Sequence, residues 1–184
     1  LPPVNSPAEA VKLGDEAVQS GQLERAIVHY VRAMQMNPDD YETLYKIGVV
    51  ESNLGNNPLA VLAYRMSLDR NESYAPSHEA LGLLLLKNQD YDTAREHLEQ
   101  AVAIDTGRWR CHNGLGIIAD LRGDYVEAVG QYQTALSFRW DSPMLLSNLG
   151  YSLYLQGKLE EAQTAFEKSI ELDPEFRTGR RNLA

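Results

Sequence analysis

The chain has 184 residues, a formal net charge of −9, 43% hydrophobic residues and one cysteine. Its acidic balance opposes sequence-independent attraction to phosphate backbones and argues against nucleic acid as a partner. One cysteine rules out an intrachain disulfide, and no apolar run is long enough to cross a bilayer.

Residues 1–6, Leu1-Pro2-Pro3-Val4-Asn5-Ser6, carry too much proline for a helix and read as an extended linker. No initiator methionine opens the chain, so residues upstream are expected, with a signal sequence a candidate among them. From Pro7 the pattern changes. Small or apolar residues recur at Ala10, Leu13, Gly14 and Ala17, one stripe of a helix. A break at Ser20-Gly21 is followed by a second stripe, Leu23, Ala26, Ile27, Tyr30 and Ala33, which Asn37-Pro38-Asp39 ends because proline lacks a donor and disfavours helix before it.

This helical hairpin then recurs. Gly14, Gly48, Gly82, Gly116 and Gly150 are each 34 residues apart, as are Ala26, Ala60, Ala94, Ala128 and Ala162. Tyr30, Tyr64, Leu98, Tyr132 and Phe166 follow those alanines by four. Breaks return at Gly55-Asn56-Asn57-Pro58, Asn88-Gln89-Asp90, Gly123-Asp124 and Gly157. The units are therefore 7–40, 41–74, 75–108, 109–142 and 143–176, and 177–184 reads as a polar capping helix or the opening of a sixth unit. A fixed period without insertions means a repeat fold, and no run alternates with the period of two that strands require.

The chemically versatile side chains follow the repeat as well. His78 and His112 share one repeat position and His29 and His97 another, so periodicity accounts for both pairs; zinc would need them closer than packed helices allow. Cys111 falls at a seam for small residues and reads as packing. Arg108-Trp109-Arg110 is locally basic but reads as a solvated surface. The sequence contains no metalloprotease, phosphate-loop, nucleophile-elbow or dinucleotide fingerprint, so no catalytic residue, metal or cofactor is assigned and an enzyme is not expected.

The Leu-Gly, alanine, aromatic and closing-proline spacing resembles the tetratricopeptide repeat (TPR). The closing proline stands at Pro38 and Pro174 but is Glu72, Thr106 and Trp140 in the middle units. The resemblance implies an all-α, right-handed superhelix with one TPR domain over 7–184, whose first helices line a concave groove. On that row Tyr45, Val49, Leu83, Leu86, Asn113, Ile117, Asn148, Tyr151 and Tyr154 are the candidate partner-binding residues, an apolar trough with hydroxyls at its flanks. Packing within the repeats competes for the same side chains. The implied partner is an extended or helical apolar peptide. The carboxylate clamp of heat-shock co-chaperones does not match at Val11, Asp15, Lys46, Pro76 and Ala80, and an asparagine ladder is broken at Lys12, Lys46, Ala80 and Gly114.

Within the fifth unit, Ser147-Asn148-Leu149-Gly150-Tyr151-Ser152-Leu153-Tyr154-Leu155-Gln156-Gly157, followed by Asp173-Pro174 and Arg181-Asn182-Leu183-Ala184, is similar to TadD-type proteins of bacterial tight-adherence (Flp) pilus systems. That similarity implies a periplasmic, outer-membrane-associated protein, lipid-anchored upstream of Leu1, acting with the pilus secretin or another assembly component. The alternatives are a cytoplasmic adaptor or chaperone of another complex, and a regulatory TPR arm of a larger enzyme.

Overall fold

A computed structural model describes residues 4–175. Among them are ten α-helices and no strand: α1 (Pro7–Gln19), α2 (Leu23–Met36), α3 (Tyr41–Asn53), α4 (Asn57–Arg70), α5 (Ala75–Lys87), α6 (Tyr91–Ile104), α7 (Trp109–Arg122), α8 (Tyr125–Phe138), α9 (Pro143–Leu155) and α10 (Leu159–Leu172). Each odd-numbered helix begins where the period places a unit boundary. The cap or partial unit expected at 177–184 lies outside the described residues. Contacts divide the chain within α5 into two compact units, the first ending at Leu84 and the second beginning at Leu85. In the first, α3 packs on both α2 and α4; in the second, α8 packs on both α7 and α9.

Local chemistry sets the helix starts. Ser6 Oγ accepts from the Glu9 N–H at 3.1 Å and Pro7 occupies the first turn, where its missing donor costs nothing. Asp40 Oδ1 accepts from the Glu42 and Thr43 N–H groups at 3.1 and 3.2 Å, and Ser142 caps α9.

Inside a hairpin the repeated glycine faces the repeated aromatic ring. A Cβ added at Gly48 would come within 2.5 Å of Tyr64 Cε1, and one at Gly116 within 2.6 Å of Tyr132 Cε1. Tyr30, Tyr64, Tyr132 and Phe166 are all buried, so the rings cannot give way. Around them the first unit gathers Ala17, Ala26, Tyr30 and Val50, and the second gathers Ala119, Ala128 and Tyr132, with Val129, Leu153, Ala162 and Phe166 beyond.

Two kinds of turn connect the helices. Within hairpins, Gly21, Gly55, Gly123 and Gly157 adopt left-handed backbone, with φ between 69° and 82°. The next N–H reaches back to the last turn, as in Gln22 N to Ala17 O at 2.8 Å, satisfying a carbonyl the helix leaves open. Gln89 holds the same place at φ 65° with a side chain that disfavours it.

At two of the three turns that lack the closing proline, those at Glu72 and Thr106, side chains hold the backbone. Asn71 Oδ1 accepts from Ser73 N, and Asp105 Oδ1 from Gly107 N, each at 3.1 Å. His78 Nε2 then lies 2.9 Å from the Glu72 carbonyl, and His112 Nε2 3.1 Å from that of Thr106. Glu72 and Thr106 stand where Pro38 closes the first unit, so each histidine ties down a turn that lacks its proline.

Gln89→Gly is expected to stabilise the chain by up to about 1 kcal/mol, the left-handed penalty less the greater entropy of unfolded glycine. Gly116→Ala is expected to cost about 1–3 kcal/mol, because overpacking against Tyr132 exceeds the propensity gain. Urea titration followed by circular dichroism separates the two signs. By the same measurement His112→Leu should cost about 1–3 kcal/mol, since it removes the contacts of Nε2 to the Thr106 carbonyl and of Nδ1 to Gln131 Oε1 at 2.8 Å. Thr106→Pro in the His112→Leu background should recover part of it, whereas no loss in the single variant would remove the histidine from the turn.

Candidate inner-face site on the odd-numbered helices

In the second unit, Asn113, Ile117 and Asp120 follow one another at helical spacing on one face of α7, and Asn148, Tyr151 and Tyr154 do so on α9. Two polar rungs join these helices. Asn148 Nδ2 donates to Asn113 Oδ1 at 2.9 Å. Ser152 Oγ donates to Asp120, lying 2.6 and 2.8 Å from its two carboxylate oxygens. Tyr132 OH reaches the same carboxylate from α8 at 2.8 Å.

Candidate side chains divide by exposure. Asn113 is buried, and Ile117 is half-buried against Ala119, Ala128 and Tyr132. Leu86 and Asn148 are half-buried. Tyr151 and Tyr154 stand out at 47% and 56% exposure, with Met144 exposed on the same helix. The candidate side chains that reach furthest into solvent in this unit are therefore two phenol rings beside a half-buried amide.

In the first unit Tyr45, Val49 and Leu83 are all half-buried. The Tyr45 ring lies 6.0 Å from Tyr64 and 5.6 Å, edge-on, from Tyr74, which in turn meets Tyr41 at 4.9 Å. Asp15 and Lys46, which in the sequence stand as mismatches to a carboxylate clamp and, for Lys46, to an asparagine ladder, form an ion pair at 2.7 Å, and Tyr30 OH donates to Asp15 at 2.7 Å. The acidic residue beside a glycine and a lysine two residues before the next glycine were legible separately. Their convergence through Tyr30 was not.

Burial pushes the Asp120 carboxyl above the usual carboxylate range, with the Ser152 and Tyr132 hydrogen bonds pulling the other way. Burial, then Asp120 itself, pushes the Tyr132 phenol far up, so it remains a donor. Among the described residues no three His, Cys, Asp or Glu side chains gather to hold a metal ion, and no helix is long and apolar enough to cross a membrane. Cys111 is fully buried in α7.

A raised folded-state pKa means that the contribution of Asp120 is fully present below its unfolded pKa of about 3.9 and is lost as pH rises through the folded value. The stability of the natural chain relative to Asp120→Asn should therefore fall as pH is raised from about 4 to 7. Paired thermal melts across that range check this, and a relative stability that rises with pH would contradict it.

Known proteins agree with this geometry. A TPR repeat model matches residues 14–55, and tetratricopeptide repeat models match 79–143 and 143–176. A TPR repeat-containing protein of Pseudomonas aeruginosa is 29% identical, the match covering 86% of this chain and 62% of that protein. The peroxisomal targeting signal receptor of Eremothecium gossypii is 35% identical, over 96% of this chain and 37% of the receptor. The chain thus spans less than two thirds of the length of these relatives. Among solved structures, MamA from Desulfovibrio magneticus RS-1 superposes with a TM-score of 0.83 at 21% identity, covering 94% of this chain and 98% of MamA. YrrB, described as a TPR protein with an unusual peptide-binding site, superposes at 0.79 and 18% identity, covering 94% of this chain and 89% of YrrB. At these identities the structures establish the shared fold. The matched repeats and the all-helical hairpins show that the chain belongs to the tetratricopeptide-repeat family.

Proposed function

We propose that the chain is a non-catalytic adaptor that holds an apolar or amphipathic segment of a partner protein on the inner face of its odd-numbered helices. The observation that carries this reading is the pair Tyr151 and Tyr154, large rings left exposed on α9 next to the Asn113–Asn148 rung. Exposed aromatic anchors are the residues most often found at the energetic centre of a protein interface. Asn148 gives one N–H to Asn113 and keeps its carbonyl oxygen and second N–H for a bound backbone. The names of two similar proteins, a targeting-signal receptor and a TPR protein with a peptide-binding site, support peptide recognition.

The likeness of Ser147 to Gly157 to TadD-type proteins supports tight-adherence pilus assembly as the setting, with the secretin or another assembly component as partner. In that reading the full-length protein is anchored by lipid to the periplasmic side of the outer membrane. Fractionation of cells expressing the full-length gene, with palmitate labelling, tests the location; a soluble cytoplasmic product would favour an adaptor of another complex.

Binding is tested by titrating a secretin-derived segment against the folded chain. Tyr151→Ala and Tyr154→Ala are each expected to weaken it by about tenfold or more, the scale of an aromatic anchor. Glu99→Ala and Gln133→Ala, exposed on even-numbered helices, should leave it unchanged. The reverse pattern would move the binding surface off the inner face.

A further inference from the structure

Two units carry a phenol that donates to an aspartate of the odd-numbered helix, and they differ in how the carboxylate charge is answered. In the first unit Tyr30 OH donates to Asp15, and Lys46 Nζ of α3 lies 2.8 and 2.7 Å from the two Asp15 oxygens. In the fourth unit Tyr132 OH donates to Asp120, one helical turn further along its helix than the position of Asp15. What α9 supplies there is the neutral hydroxyl of Ser152. The repeat equivalent of Lys46 on α9 is Asn148, which donates to Asn113 instead.

Asp120 therefore has hydrogen-bond donors and no counterion among the described residues. The arginines of α7, α8 and α9 are Arg110 and Arg122, and these helices contain no lysine. Arg122 pairs with Asp92 of α6. Arg110 stands a full ten residues before Asp120, about 15 Å along α7, with its guanidinium 4.8 Å from the centre of the Trp109 ring. Burial is the largest influence on the Asp120 carboxyl and raises it; the two hydroxyls act to lower it, and no cation does. Half-burial also strengthens the attraction of this carboxylate for a cation, because the surrounding dielectric is below that of water. Two hydroxyl protons leave part of its roughly four acceptor sites open.

The neighbours suit an organic cation. Tyr151 directly precedes Ser152 on α9, Tyr154 follows two residues later, and both rings are exposed. No other unit carries an aromatic ring at either position. A ring face attracts a cation through its quadrupole, and the alkyl stem of a lysine packs on apolar surface while its head stays with a polar partner.

We infer that Asp120 is the seat of a lysine side chain of the bound segment, whose ammonium pairs with the carboxylate while its stem lies against Tyr151. This names the chemistry of the partner and rests on the inner-face reading proposed above. The probe is a fluorescein-labelled peptide of roughly nine residues, about 30 Å when extended, with one lysine at its centre between leucines. Its counterpart carries norleucine there, the same stem without the charge. Anisotropy titrations against the full chain should show the lysine peptide binding at least about tenfold tighter. Asp120→Asn keeps an acceptor for Ser152 and Tyr132, and in the folded variant it should reduce that preference to about twofold or less. Glu160→Gln removes a carboxylate from an exposed place on α10 and should leave the preference intact, which separates a seated lysine from general attraction to an acidic chain. Tyr151→Ala should weaken both peptides.

Equal binding of the two peptides, saturable binding of neither, or a lysine preference that survives Asp120→Asn would overturn the inference. If Tyr151→Ala and Tyr154→Ala still weaken both peptides when the preference is absent, the inner-face reading stands and the lysine seat alone is lost. Insensitivity of both peptides to the two tyrosine variants would overturn the inner-face reading and this inference with it.

Discussion

The close approach of two helices at a glycine is the constraint on which each hairpin depends. Gly14, Gly48, Gly116 and Gly150 each leave room for a ring from the second helix, and a single added carbon would overlap that ring. Burial of Tyr30, Tyr64, Tyr132 and Phe166 then contributes the large apolar area of an aromatic side chain to a unit too small to form a core alone. The period of 34 residues visible in the sequence is the spacing of this contact. Insertions between units would preserve each crossing but shift its neighbours, which explains why the spacing is strict in a fold stabilised by stacking.

Because the contact is periodic, the helices and their boundaries were legible from residue spacing. Pro7, Tyr41, Ala75, Trp109 and Pro143 all begin helices at the expected positions. Less legible were features built from two non-equivalent positions. His78 and His112 repeat with the period, which explained their spacing without revealing their role; that role depends on carbonyls six residues earlier, Glu72 and Thr106, where proline is missing. The joint occurrence of histidine and a non-proline turn was present in the sequence, but a backbone acceptor has no residue signature. Gln89 is similar: its place in the turn was readable, and its left-handed backbone was not.

The candidate inner face shows the same limit more sharply. Helical spacing put Ile117, Asn113, Tyr151 and Tyr154 on one side of their helices, and spacing alone does not say how much of each a neighbouring helix covers. Ile117 is taken up by Ala119, Ala128 and Tyr132, whereas Tyr151 and Tyr154 remain outside. The hydroxyls of Tyr30 and Tyr132 extend from the packing side of the hairpin to carboxylates on this face, Asp15 and Asp120. At Tyr30 and Tyr132 the packing residue is thus matched by an acceptor, since a buried phenol left without one would carry the desolvation cost of its O–H.

In two other units this coupling places an aspartate at one of the two positions that the exposed tyrosines hold. In the first and fourth units the packing ring ends in a hydroxyl, and an aspartate on the odd-numbered helix receives it. In the fifth unit the ring is Phe166, which has no hydroxyl and requires no acceptor. The position equivalent to Asp15 is then released to Tyr151, and the one equivalent to Asp120 to Tyr154. Neither tyrosine is needed to satisfy Phe166, and both remain exposed. The first and fourth units each meet the polar demand at a single position, Asp15 for Tyr30 and Asp120 for Tyr132, and the second unit, with Tyr64, carries Val49 and Ser52 there; with Phe166 the demand is absent and both positions carry exposed rings.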